Sequence, residues 1–98
     1  MTLTFLTMPS RHNKDDIARE ARIHYRGKPL IGSLAIEMTL FWPGRWMHDW
    51  NNINGLLDAL DAILWQDQAQ IRDAHVIVEY DKENPRVELR VWEATLAG

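Results

Sequence analysis

Leu34, Ile36, Met38, Leu40 and Trp42 alternate with Ala35, Glu37, Thr39 and Phe41. That period of two predicts a half-buried strand whose even positions face a core. Pro43 and Gly44 stop it. Ahead of it, Thr2 to Thr7 reads as a short strand closed by Pro9 and the polar cluster Ser10 to Asn13. A helix is predicted from Asp15 or Asp16, because Ile17, Ala21 and His24 or Tyr25 recur at helical spacing, acids fill the first turn, and Arg26 precedes Gly27 at the end. A second, core-facing helix starts near Asn51 or Asn52, either of which suits a cap. It carries Ile53, Leu56, Leu57, Leu60, Ile63 and Leu64 on one face, with Asn54, Asp58 and Asp61 on the other. Beyond a polar turn from Gln66 to Asp73, the β-rich runs His75 to Tyr80 and Arg86 to Trp92 flank Asp81, Lys82, Glu83, Asn84 and Pro85. This arrangement predicts a C-terminal hairpin.

The order β-α-β-α-β-β implies an α/β fold, one small domain over residues 1–98 in which helices pack on a mixed sheet. The predicted core combines Ile36, Met38 and Leu40 with the apolar face from Leu56 to Leu64 and with Val76, Val78, Val87, Leu89 and Val91. At 98 residues the chain fits a single domain, and the absence of cysteine excludes a disulfide framework, a thiolate zinc site and a cysteine nucleophile. No apolar run approaches the ~20 residues of a membrane span. The first eight residues lack a basic leader and a small-residue cleavage site, so a strand is expected there and not a signal peptide, and a cytoplasmic location is expected.

Charge adds a second layer. Residues 1–46 hold seven basic and four acidic side chains (+3), whereas residues 47–98 hold four and ten (−6). A chain at −3 overall is unlike a general nucleic-acid binder, whose affinity comes from neutralising phosphates. Two readings of the asymmetry stay open: a metal-dependent site beside a phosphate-gripping surface, or two chains pairing through opposite patches.

Phosphate-binding glycine loops, metalloprotease helices and nucleophile elbows are missing. Asp49 stands just before the second helix and Asp67 just after it, with Asn51, Asn52, Gln68 and Gln70 nearby. Carboxylates converging from separated segments can hold Mg²⁺ for phosphodiester hydrolysis, since a hard cation takes oxygen ligands. The structural alternative is that Asp49 caps a loop and Asp67 a turn. Trp46 and Trp50 either stack on unpaired bases or pack beside the helix start. Arg19, Arg22 and Arg26, spaced by three and four, form either a phosphate-contacting ridge or a solvated face. His48 is either a metal ligand beside Asp49 or a solvated loop histidine.

The string Asp58-Ala59-Leu60-Asp61-Ala62-Ile63-Leu64-Trp65-Gln66-Asp67-Gln68-Ala69-Gln70-Ile71 resembles the core signature of the RusA family of Holliday junction resolvases. In that family a helix bearing Asp-Ala-Leu is followed by a small residue, an aromatic, a paired Asp-Asp, a Gln and an Ile or Val. Asp49-Trp50-Asn51-Asn52-Ile53 is similar to the family's Asp-x-Asp-Asn-Leu. Val76 to Lys82 with Arg86-Val87-Glu88 resembles its final hairpin, and Met8-Pro9-Ser10 with Asn13 its Pro-Pro-Ser-x-Asn opening. The resemblance implies a homodimer that binds four-way DNA junctions and nicks opposing strands, with Mg²⁺ held by acidic residues near a lysine. It places Asp49 and Asp67 as catalytic and metal-binding residues, while Arg19, Arg22, Arg26 and Trp50 are the candidates for DNA contact from their own spacing and position.

The departures fall on the chemistry. Asn51 replaces the second acid, Gln68 replaces an acid of the Asp-Asp pair, and the lysine has no counterpart because Gly55 follows Asn54 directly. One residue is missing there, a shift of ~100° on a helix. The apolar face nevertheless persists, since Ile53 precedes Leu56 by three residues and Leu57 by four. The expectation is a RusA-like protein that binds branched DNA with weak or lost nuclease activity. The alternatives are an active enzyme in which Asp61 or Asp73 joins Asp49 and Asp67, and an interaction domain that does not bind DNA.

Overall fold

The computed structural model describes residues 1–10, 12–44 and 50–94, apart from the side chains of Trp50 and Asn51. Its elements are β1 (Thr2–Phe5), α1 (Lys14–His24), β2 (Leu34–Trp42), α2 (Trp50–Leu60), a 3₁₀ turn (Gln68–Gln70), β3 (Ile71–Tyr80) and β4 (Arg86–Glu93). The four strands form one mixed sheet in the order β1-β4-β2-β3. This is the α/β architecture expected from the element order.

β2 lies inside the sheet because all its even side chains are apolar and can be covered from both flanks; Leu34, Ile36, Met38, Leu40 and Trp42 are buried. It pairs antiparallel with β4, Met38 opposite Leu89, and parallel with β3, Met38 opposite Val76. A parallel neighbour requires a long crossover, and the segment containing α2 supplies it. Ile17 and Ala21 of α1 and Ile53, Leu56, Ala59 and Leu60 of α2 complete a core with Leu3 and Phe5 of β1 and Val87, Leu89 and Val91 of β4. The opposite face of the sheet carries Glu37, Thr39, Phe41, Glu88, Arg90 and Trp92.

Several boundaries differ from the sequence reading. The predicted hairpin is absent: β3 and β4 flank β2 and do not pair with each other. Residues 81–85 cross the end of β2, where the Asp81 N–H donates to the Trp42 carbonyl at 2.8 Å. Two inter-strand spacings amount to about 10 Å, which five residues span easily. β3 starts at Ile71, so the last three residues of the predicted polar turn, Ile71 to Asp73, are strand. Being at the sheet edge, it leaves Val76 and Val78 only partly buried, as are Leu57 and Ile63. α1 ends at His24, where the extended Tyr25 returns its N–H to the Ala21 carbonyl, and Arg26 lies in the following loop. α2 begins at Trp50, which places Asn51 and Asn52 in its first turn and not at the cap. It stops at Leu60, so Ile63 and Leu64 belong to the next turn.

Polar side chains fix the connections. Asn13 closes the loop before α1, accepting from the Ser10 N–H at 2.8 Å and donating to the Met8 carbonyl. Glu20 of α1 accepts the N–H groups of Leu6 and Thr7 at 2.8 and 3.1 Å, satisfying the chain as it leaves β1. In the loop before β4, Asp81 accepts from the N–H groups of Glu83 and Asn84 and from Arg86, whose guanidinium also reaches Glu88 and lies 3.8 Å from the centre of the Phe41 ring. The Asn84 N–H, followed by Arg86, holds the Asp81 carboxyl below the usual carboxylate range. The hydrogen bond to Glu88 raises Arg86 above its ordinary value.

Candidate functional site

The segment that most resembles a known signature runs from the last turns of α2 to the first residue of β3. Its local structure follows from alternating anchors and polar ties. Leu60 is fully buried and ends α2; Ala62 then adopts a left-handed conformation (φ 66°) that turns the chain back. Leu64 and Trp65 enter the core beneath that turn. The Leu64 carbonyl accepts from the Leu30 N–H at 2.8 Å, and the Trp65 carbonyl from the Ala62 N–H at 2.7 Å. The Trp65 indole N–H donates to Asp61 Oδ1 at 2.7 Å, which gives a buried ring a partner for its one polar atom.

Asp67 then caps the 3₁₀ turn. Its Oδ1 accepts from the Ala69 N–H at 2.8 Å, and Gln70 reciprocates through Oε1, which accepts from the N–H groups of Asp67 and Gln66 at 2.9 and 2.8 Å. The pair is a capping box. Gln70 Nε2 donates to the carbonyls of Leu30 and Gly32 at 3.0 and 2.9 Å, so one side chain joins this turn to the loop before β2.

Gln68, between these two residues, faces the end of α2. Its Nε2 donates to Asp58 Oδ1 at 2.5 Å and to Asp61 Oδ2 at 3.2 Å. The other oxygen of Asp58 lies 3.9 Å from the Lys14 ammonium at the start of α1. Two carboxylates therefore converge on one neutral amide, with a lysine at the rim. A divalent cation needs oxygen donors directed at it, whereas this arrangement directs an N–H donor between the acids. Among the described residues no group of three or more His, Asp or Glu side chains can hold a metal ion. The described residues thus do not form a divalent-metal cage.

The residues singled out from sequence are dispersed. Asp49, Trp46 and His48 lie outside the described residues, as do the side chains of Trp50 and Asn51 on α2. Asp67 acts as a turn cap. Asp73 is on β3, 3.5 Å from the His75 imidazole. Arg19 pairs with Asp16 one turn earlier on α1, and Arg22 and Arg26 are exposed. Sequence spacing does not by itself bring Asp58 and Asp61 to Gln68, or Lys14 to Asp58. A signal for the first contact is nonetheless present: the two acids share the outer side of a helix end, and the glutamine follows within the same signature string.

Against protein-family models, residues 2–92 of the 98 match endodeoxyribonuclease RusA. No curated protein matches the chain. Among the described residues no helix is long and apolar enough to cross a membrane.

Proposed function

Because the chain belongs to the RusA endodeoxyribonuclease family, a family of Holliday junction resolvases that are in general divalent-metal dependent, we propose that it binds branched DNA as a homodimer and that its Mg²⁺-dependent cleavage is weak or lost. The observation that carries this reading is the Gln68 side chain. It stands where the family signature has an acid, and it spends its amide N–H donors on Asp58 and Asp61. An amide there supplies hydrogen-bond donors that a carboxylate lacks and removes a negative charge. Asn51 makes the same exchange at the second acidic position. Each lost carboxylate weakens a hard-ion site and reduces the metal's ability to polarise the phosphate and activate water.

The fold can outlive the chemistry because the signature's apolar positions are intact. Leu56, Leu60, Leu64 and Trp65 are fully buried, and apolar packing of that kind needs no metal. Basic side chains at Arg22 and Arg26 remain exposed for phosphate contact.

The test is a labelled four-way junction titrated with the protein in Mg²⁺ or Mn²⁺. Binding with little or no nicking is expected. A variant with Asn51→Asp, Gln68→Asp and a lysine inserted between Asn54 and Gly55 is expected to gain nicking, and the two substitutions without the insertion to gain less. Efficient cleavage by the parent chain, abolished by Asp49→Asn, would replace this reading with an active enzyme. Failure to bind junctions at low salt would favour an interaction domain unrelated to DNA.

A further inference from the structure

We infer that the outer edge of β3 is the surface on which a second copy of this chain pairs, antiparallel, about a two-fold axis through Ile77. The inference rests on the homodimer reading above and supplies its interface. β3 is ten residues long and closes one side of the sheet, so among the described residues its outer row of backbone groups meets no other strand. Edges of this length are normally blunted by proline, by charged side chains, lysine above all, or by a central bulge. Ile71–Tyr80 contains neither proline nor lysine, Arg72 and Asp73 stand at one end with its irregularity against β2, at the Leu34/Ala35 step, and the central Val76, Ile77 and Val78 carry no charge.

The side chains match themselves in one register. A two-fold axis normal to the sheet keeps each face on its own side, so opposed residues have the same parity. With the axis at Ile77, Val76 meets Val78 and Ala74 meets Tyr80 on the helix-bearing face, an apolar row with no charge in it. On the other face His75 meets Glu79 twice and Ile77, 41 % exposed in the single chain, meets its own copy. Asp73 comes opposite Asp81, whose charge Arg86 already answers at 3.0 Å. Moving the axis to Val76 sets Asp73 against Glu79 and His75 against Ile77, which loses both the polar His75–Glu79 pairs and the apolar match. The partly buried state of Val76 and Val78 follows from the same geometry, since the single chain covers only one flank of each.

The assembly is a continuous eight-stranded sheet with all four helices on one side. Both copies of the Asp58, Gln68 and Asp61 cluster then lie on that side, related by the axis. Symmetric action on two strands of a junction requires such an arrangement.

The chain has no cysteine, so Ile77→Cys introduces a single thiol. Residues opposed across an antiparallel pair have Cα atoms about 4.5–5.5 Å apart, within disulfide range. Under mild oxidation Ile77→Cys is expected to become a covalent dimer at least tenfold faster than Glu79→Cys, whose two copies would stand about 13 Å apart. In sedimentation, Ile77→Lys and Glu79→Lys are each expected to weaken dimerisation at least tenfold, and His75→Glu with Glu79→Lys to restore it. Ile77 and Glu79 face away from the core, and circular dichroism checks that the variants fold. A dimer that survives Ile77→Lys and gives no disulfide crosslink with Ile77→Cys overturns the interface and leaves the homodimer reading standing. A monomer at all concentrations overturns both.

Discussion

The Gln68 amide donates to the carboxylate of Asp58 at 2.5 Å across ten residues of sequence, tying the turn that enters β3 to the last turns of α2. The same nitrogen reaches Asp61 at 3.2 Å. A neutral donor thus occupies the point where two acids converge, and it compensates them without requiring an ion. Charge is what distinguishes this cluster from a metal site, so restoring charge is the most direct probe of it.

Gln68→Asp places a third carboxylate against Asp58 and Asp61 and removes both hydrogen bonds. In metal-free buffer this change is expected to destabilise the fold by about 1–2 kcal/mol, from lost hydrogen bonding and like-charge repulsion at a half-exposed site. Millimolar Mg²⁺ is expected to raise the melting temperature of the variant by binding only its folded state, and to leave the parent unchanged. A variant with the parent's melting temperature in both buffers would show that the three side chains do not interact.

The strands that face the core are legible from alternation, and β2 is bounded to the residue by it. The β3 to β4 connection is not, for a physical reason: a five-residue polar turn reverses the chain but does not dictate what lies between its arms. β2, apolar at every even position and broken only by Glu37 and Thr39 on its other face, gains more from the central place than β3, whose other face carries Asp73, His75 and Glu79. The end of α2 is hidden from periodicity because Ile63 and Leu64 keep helical spacing after the backbone has turned at Ala62. At the candidate site, the sequence carries the signature but not the contacts. Gln68 and Asp58 meet only because Trp65 is buried and Gln70 pins the intervening turn to Leu30 and Gly32.

Ala62 is the one non-glycine residue with positive φ among those described. A left-handed alanine costs about 1–2 kcal/mol, whereas glycine accepts the conformation and loses about 0.5–1 kcal/mol through the greater freedom of its unfolded chain. Ala62→Gly is therefore expected to stabilise the protein by about 0.5–1 kcal/mol, read as an increased denaturant midpoint at constant slope. Ala62→Val is expected to destabilise it, because a branched side chain tolerates positive φ less well.

Asp81 links stability to acid. Its folded carboxyl titrates below the ordinary range, held there first by the Asn84 N–H and then by Arg86. A depressed folded value means that the unfolded chain takes up the proton first. The stabilisation from this group is complete above about pH 4, the ordinary aspartate value, and is lost as pH falls through the folded value. Asp81→Asn is expected to melt below the parent at pH 7, with the gap closing below about pH 4. A gap of constant size across that range would assign the loop's stability to the backbone alone.

The arginines near α1 separate two kinds of basic side chain. Arg19 is paired with Asp16, so a phosphate must compete with that carboxylate for it. Arg22 and Arg26 are exposed, the first on the last turn of the helix and the second in the loop that follows. Each phosphate contact by a free cation releases counterions and adds about 0.9 to the slope of log affinity against log salt. If Arg22 and Arg26 grip a junction, replacing both with glutamine is expected to reduce that slope by about 2 and to weaken low-salt binding strongly. Arg19→Gln is expected to change the slope by much less, because its net gain on contacting phosphate is offset by the ion pair it gives up. Fluorescence anisotropy of a labelled four-way junction over a salt series measures all three slopes. An unchanged slope in the Arg22 and Arg26 double variant would make both side chains part of a solvated face and move the phosphate contacts elsewhere on the protein.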